Sequence, residues 1–302
     1  MVIRGRSPDR KTQKERIKEI TDQLEEGVQE LFESEKFKEY LNCMSKFHNY
    51  SLNNTILIAL QRPDATLVAG YKAWQKDHDR TVRKGEHGIK ILAPCKYKVT
   101  VESEKKGEDP KELEYLKFKI THVFDISQTE GKELPSLGID ELSGGVDDYR
   151  NMYKALLRVC PVPIVQEEIK GGAKGYYSDA EQRIAIQTGM SEMQTIKTMV
   201  HEIAHQKMHS SGTRTLDMPI DRRTKEVEAE SVAYTVCQKL GLDTSDYSFG
   251  YIAGWSSGRD VKELKASLER IRSAADELIT AIDKQLDHFR KREIERAKGV
   301  ER

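Results

Sequence analysis

The sequence predicts an α+β protein of two domains, a mixed α+β front part and a mostly helical back part with a small sheet and a long C-terminal helix. Three observations lead there. Apolar residues keep helical spacing between about 17 and 60 and again beyond 147. Glycine-punctuated, alternating segments fill the stretch from Thr66 to Phe124. Between them Asp125–Gly145, with Pro135, Gly138, Gly144 and Gly145, has the composition of a linker. The expected layout is a domain over 11–126, a linker over 127–145 and a second domain over 146–302.

A length of 302 residues suits two domains of about 100 to 150 residues each. The 37% hydrophobic content supplies their cores, and 50 basic against 50 acidic residues excludes a strongly charged tail-like protein. Apolar runs stay far short of the roughly 20 residues that a bilayer needs, and no charged-then-apolar leader opens the chain, so a cytoplasmic protein without a membrane partner is expected. Residues 1–126 carry 24 basic and 21 acidic side chains while 127–260 carry 15 and 20, which suggests modules with different partners. Cys43, Cys95, Cys160 and Cys237 form no CxxC pair, which argues against a disulfide framework or a zinc ribbon.

In chain order, Ile17, Ile20, Leu24, Val28 and Leu31 mark an amphipathic helix, and Phe37, Tyr40, Leu41 and Met44 a second apolar set. Asn49 or Ser51 can cap a helix through Leu52, Ile56, Leu57 and Leu60 that Pro63 ends. Gly85 and Gly88 precede Ile89–Leu92 and the alternating Tyr97, Val99 and Val101, the pattern of a hairpin. A solvent loop is expected over Glu102–Glu114 and a further strand through Leu116, Phe118, Ile120 and His122. The back part reads as a helix over Asp147–Cys160, a strand near Val162–Val165, a turn over Gly171–Tyr177 and an edge-type strand over Arg183–Ile186. Helices near 191–209, 223–240 and 260–296 follow; the 3-4 spacing of Leu264, Leu268, Ile271, Ala275 and Leu278 fits packing of the last on its own domain better than a coiled coil.

The most specific chemistry lies in His201-Glu202-Ile203-Ala204-His205. Histidines four apart sit one above the other on a helix, so both rings can reach one zinc ion, and Glu202 beside them can hold its water as general base. A catalytic zinc keeps one position for water and needs a third protein ligand. His209 continues the row, but eight residues of helix rise about 12 Å, too far for a shared ion with ligands at about 2.1 Å. One helix later, Glu226 and Glu230 share a face and Glu228 points about 200° away. One of the pair binds the metal and the other accepts the remaining N–H of a ligand histidine. Glu226 is assigned to the metal and Glu230 to the histidine, with their order left open.

Residues 62–99 hold nine basic side chains against four acidic ones, interleaved with Tyr71, Trp74 and Tyr97. Cations that track phosphates and aromatic faces that stack on bases are the means by which single strands are held. By composition alone the aromatics fit a core equally well.

With its HEIAH helix, EVEAESVA helix and GYYSDAEQRIAI strand, the region 150–260 resembles the zincin-type metallopeptidase domain of ArdC-like antirestriction proteins, and more distantly the ImmA/IrrE metallopeptidases. Residues 49–94, NYSLNNTILIALQRPDATLVAGYKAWQKDHDRTVRKGEHGIKILAP, resemble the single-stranded-DNA-binding domain of the same family, although many relatives carry a glycine where His78-Asp79 stand. The resemblance implies an N-terminal ssDNA-binding domain followed by a gluzincin-like domain in a protein of a mobile element that protects incoming DNA. It implies one zinc ion on His201, His205 and Glu226, Glu202 as catalytic residue and Glu230 behind the ligands. It also implies DNA contacts from Tyr71, Lys72, Trp74, Arg80, Arg83, Lys84 and Lys90, and a protein substrate or restriction enzyme as a further partner. Tyr176 or Tyr177 is placed to steady an oxyanion. Two rival readings remain: a non-catalytic ssDNA-binding protein with structural zinc, and an ImmA-like regulatory protease that cleaves a repressor.

Overall fold

The computed structural model describes residues 12–101, 111–134, 146–213, 220–247 and 249–300. In chain order the elements are α1 (Gln13–Glu30), α2 (Ser34–Lys46), α3 (Leu52–Gln61), β1 (Val68–Gly70), α4 (Tyr71–His78), β2 (Arg80–Val82), β3 (Ile89–Val101), β4 (Lys111–Asp125), a 3-10 turn (Ile126–Gln128) and β5 (Thr129–Gly131). They continue with α5 (Val146–Val159), β6 (Ile164–Glu167), β7 (Gly175–Ser178), β8 (Arg183–Gln187), α6 (Glu192–His209), α7 (Arg222–Lys239), α8 (Ile252–Ser256) and α9 (Val261–Val300). The fold is α+β, as the sequence predicts. Among the described residues no helix is long and apolar enough to cross a membrane.

The described residues form two compact units, one drawn from those up to Gln29 and within Asn53–Lys132, the other from those within Glu30–Leu52 and Glu133–Arg302. The contiguous division expected at 11–126 therefore differs at α2, which packs on α7 of the second unit. Its buried face of Phe37, Tyr40, Leu41 and Met44 is strongly apolar but carries no mark of which domain it serves.

In the first unit β1, β4 and β3 form an antiparallel sheet in the order β1-β4-β3, and β2 pairs with β5. The expected linker is corrected here, because its first five residues are structured. Asp125 accepts from the Ser127 N–H and its own N–H donates to Gln128, closing a 3-10 turn, and Thr129–Gly131 then pairs with Arg80–Val82. Residues 135–145 lie outside those described. Asp125 also takes the N–H groups of Thr66 and Leu67, and these bonds together hold its carboxyl below its usual range against the opposing effect of burial. Asp79 makes this bend in the αL region, φ 52°, without a glycine, since Asp tolerates that region better than most residues.

The edge of β3 is closed by side chains. Asn54 of α3 exchanges two hydrogen bonds with the backbone of Leu92, and Gln61, two helical turns on, does the same with Lys90. Each amide stands in for a neighbouring strand at an otherwise unpaired edge. Asn54→Ala is expected to lower unfolding free energy by about 1–3 kcal/mol, because a part-buried N–H and C=O lose their partners; chemical denaturation checks it, and an unchanged midpoint counts against the clamp.

The loop expected over Glu102–Glu114 is shorter at its far end, because β4 starts at Lys111; residues 102–110 lie outside those described. Residues 114–119 of β4 are exposed on both faces, so the alternation of Leu116 and Phe118 with Lys117 and Lys119 does not separate core from solvent there.

In the second unit β6, β8 and β7 form a sheet with β8 central, parallel to β6 and antiparallel to β7. This corrects two expectations. Arg183–Gln187 is the middle strand, fully buried at Ile184 and Ala185, and the expected turn over Gly171–Tyr177 already contains the edge strand β7. Helix α7 is the centre of the unit, packed by α2, α6 and α9. Val227, Ala229, Val232, Ala233 and Val236 have no exposed surface, and the buried Ser231 and Thr235 bond back to the carbonyls one turn earlier. Helix α9 lays Leu264, Leu268, Ile271, Ala275, Leu278 and Ile282 into this core, so its heptad-like spacing serves its own unit.

Candidate metal centre

Two N-caps set the frame. Ser191 starts α6 by accepting from the Gln194 N–H, and Asp221 starts α7 by accepting from Thr224. Trp255 and Arg259 both donate to the Thr224 hydroxyl, and Arg259 also to Asp221, which pins the turn that precedes Glu226. The hydrogen bonds of Thr224 draw the Asp221 carboxyl down to about 2. Ala204, Ala229 and Ala233 expose nothing, and α6 and α7 pack along this stretch.

His201 and His205, one turn apart, turn their Nε2 atoms to within 3.1 Å of each other. A Glu226 carboxylate oxygen lies 3.7 Å from Nε2 of His201 and 3.5 Å from that of His205. Three ligands at about 2.0–2.1 Å around a tetrahedral ion lie roughly 3.3 Å apart, so the three separations bracket the spacing that a bound zinc imposes. The donor set of two imidazoles and one carboxylate fits that ion. Glu230 faces Nδ1 of His201 at 3.2 Å, on the side away from the cluster. The structure thus brings together all four residues of the expected set, with Glu226 nearer both Nε2 atoms.

In the metal-free protein burial works against a charged His201, yet the carboxylates of Glu226 and Glu230 overrule it and raise the ring to about 10. Burial keeps His205 below its usual value. The two histidines hold Glu226 far below the carboxylate range. Glu202 is buried, and desolvation, with the charge of Glu226 adding to it, raises it to about 7 against the pull of His201.

The backbone N–H of Tyr177 on β7 donates to Glu202. That approach depends on Gly175, where a Cβ would meet Thr198 at 2.7 Å, the Ala185 carbonyl at 3.0 Å and Glu202 at 3.2 Å. Gly175→Val is expected to push β7 off Glu202 and to lower any peptide hydrolysis at the cluster more than any zinc uptake, since the candidate ligands sit on α6 and α7; parallel zinc and turnover assays check it. The Tyr176 and Tyr177 hydroxyls are engaged with Glu167 and Asp179, so neither stands ready for an oxyanion.

His209 is no member of the cluster, but the rise that excludes it as a ligand places it under the second ring. Its Nδ1 lies 3.1 Å from Nδ1 of His205 and its Nε2 3.0 Å from Glu228, a carboxylate with no exposed surface that also takes Ser267 and Arg270 of α9. Burial opposes ionisation of Glu228, but these donors outweigh it and lower its pKa. The i, i+4 step from His205 to His209 is the sequence signal for this contact. The helical angle of Glu228 turns it away from Glu226 but does not name what it meets.

The candidate DNA-contact residues divide. Trp74 is corrected: it is wholly buried and donates to the Phe124 carbonyl, which leaves no face for a base. Arg80 and Arg83 serve the fold as well, although the side chain of Arg83 stays exposed. The Arg80 guanidinium is spent on Thr129, Gly131 and Lys132, and that of Arg83 on Ser127, Thr129 and Glu86, bonds that join β2 to the turn and strand after β4. Tyr71, Lys72, Lys84 and Lys90 are exposed. Tyr115 and Phe118, half exposed on β4 beside Lys117 and Lys119, are aromatic and basic residues that a reading of 62–99 alone misses.

Residues 10–124 match the family model described as the N-terminal domain of anti-restriction factor ArdC. Through this segment the chain is ArdC-like. The ArdC match ends before the candidate cluster begins at His201. An uncharacterized protein of Bacillus anthracis is 30% identical over 324 residues; the alignment takes in 92% of this chain and 53% of that protein, so the chain spans about half the length of the curated relative it matches. Crystal structures of the antirestriction ArdC protein from plasmid R388, metal-free and Mn(II)-bound, are 23% and 21% identical with TM-scores of 0.46 and 0.43, each covering 79% of this chain and 84% of the other.

Proposed function

We propose that this ArdC-like chain is a single-stranded-DNA-binding protein with a zinc-dependent peptidase centre, and that it protects incoming DNA from restriction. The observation that carries the reading is the convergence of His201, His205 and Glu226 on one point, with Glu202 next in the chain. When bound there, zinc supplies Lewis acidity toward a peptide carbonyl and lowers the pKa of a water. Glu202, held by the Tyr177 N–H beside the ligand histidines, would take the proton from that water and return it to the leaving amine. Glu230 accepts the Nδ1–H of His201 and so keeps Nε2 free for the ion.

The exposed Tyr71, Lys72, Lys84 and Lys90 support the DNA half, with backbone tracking by the lysines and stacking on the ring. Replacing each lysine in turn by Ala is expected to weaken binding of a labelled oligonucleotide and to flatten the slope of log K against log salt by about 0.7, the share of one phosphate contact on a single strand. Anisotropy titrations at several salt concentrations read this; unchanged slopes for all three remove them from the interface.

Restriction protection by wild type and Glu202→Gln tests whether the centre serves the task. Protection lost with hydrolysis supports the proposal, whereas equal protection leaves a DNA-shielding protein whose metal chemistry serves something else.

A further inference from the structure

We propose that His209 and Glu228 form a relay that fixes the ring of His205 for the metal and ties it to α9 through Ser267 and Arg270. The inference rests on the metal reading above. Its basis is proton placement across contacts of hydrogen-bond length. Oε1 of Glu228 takes the Ser267 hydroxyl at 2.6 Å and Nε of Arg270 at 2.9 Å, and Oε2 faces Nε2 of His209 at 3.0 Å. An ionised carboxylate only accepts, so Nε2 of His209 donates. A neutral His205 bound through Nε2 carries its proton on Nδ1, and that proton points at Nδ1 of His209, 3.1 Å away. His209 must then be the tautomer with Nδ1 bare, which is the one that Glu228 selects. Every donor meets an acceptor.

The alternative is a buried pair that matters only to packing, and buried ion pairs by themselves are weak evidence of any role. Two features go beyond it. The chain of contacts ends on a ring of the cluster rather than in the apolar core. The two histidines also differ: the His201 partner, Glu230, is one-third exposed, so water can replace it, whereas His209 and Glu228 are 4% and 0% exposed. His205 has no such substitute. Its tautomer depends on His209, and metal-ligating histidines deprived of such partners typically lose about 10–100-fold in affinity.

Long-range ¹H–¹⁵N spectra of the zinc-loaded wild-type chain test the assignment without mutation. His205 protonated on Nδ1 and His209 on Nε2 alone is the expected pattern; His209 protonated on Nδ1, or on both nitrogens, overturns the relay. Zinc affinity by chelator competition gives the second readout. His209→Leu is expected to bind about 10–100-fold more weakly, and His209→Asn, whose Oδ1 stands in for Nδ1, to recover most of the loss. Wild-type affinity in His209→Leu, or no recovery in His209→Asn, overturns the relay while the metal reading stands. No zinc uptake by the wild type removes the metal reading itself, and the relay with it.

Discussion

Glu202→Gln in the zinc-loaded protein is expected to slow peptide hydrolysis by about 10²- to 10⁴-fold and to leave zinc bound. The amide keeps the size of the carboxylate and can still accept the Tyr177 N–H, so the site survives. What it loses is a group able to take a proton. In the metal-free protein burial raises Glu202 to about 7, and a zinc ion beside it draws the carboxyl down from there, toward the ionised form a base needs. The measurement is single-turnover hydrolysis of an unfolded protein substrate with zinc content determined on the same sample. Full activity in Glu202→Gln excludes Glu202 as the base, and loss of zinc along with activity makes the residue structural.

Glu226→Ala is expected to weaken zinc binding by more than about 100-fold, since even residues behind the ligands typically cost about 10–100-fold. A pH dependence accompanies it in the wild type. His201 without metal is raised to about 10, above its ordinary value near 6.5. The charged ring therefore stabilises the metal-free fold below that ordinary value, and the stabilisation is lost as pH rises toward 10. Zinc must displace the proton, so uptake at neutral pH releases about one proton and affinity rises roughly tenfold per pH unit up to the folded value. Calorimetry in buffers of different ionisation enthalpy reads the release. Zinc uptake without it at neutral pH contradicts the His201 assignment.

The grouping of His201, His205, Glu226 and Glu230 is legible because helical geometry does the work. Residues four apart on α6, and four apart on α7, can face only one way once the helices pack, and the two helices extend over almost the expected spans. The DNA candidates were less legible because Trp, Arg and Lys in one basic segment serve opposite ends. Trp74 entered the core, and Arg80 and Arg83 found carbonyls on strand and turn residues more than 40 positions later, which no local pattern announces. Separations of 38 and 29 positions likewise hid the Asn54 and Gln61 clamps on β3, and a far longer one the association of α2 with α7. The start of the expected linker differs for another reason. Asp125 and Gln128 form a local capping box, a signal present in the sequence but masked by the glycines and proline that follow.

Anomalous diffraction from crystals of the zinc-loaded chain tests the central claim most directly. One peak is expected at about 2.0–2.1 Å from Nε2 of His201, Nε2 of His205 and the Glu226 carboxylate, with Glu230 on Nδ1 of His201. A peak bound by other residues, or none beside α6 at full zinc loading, contradicts the account.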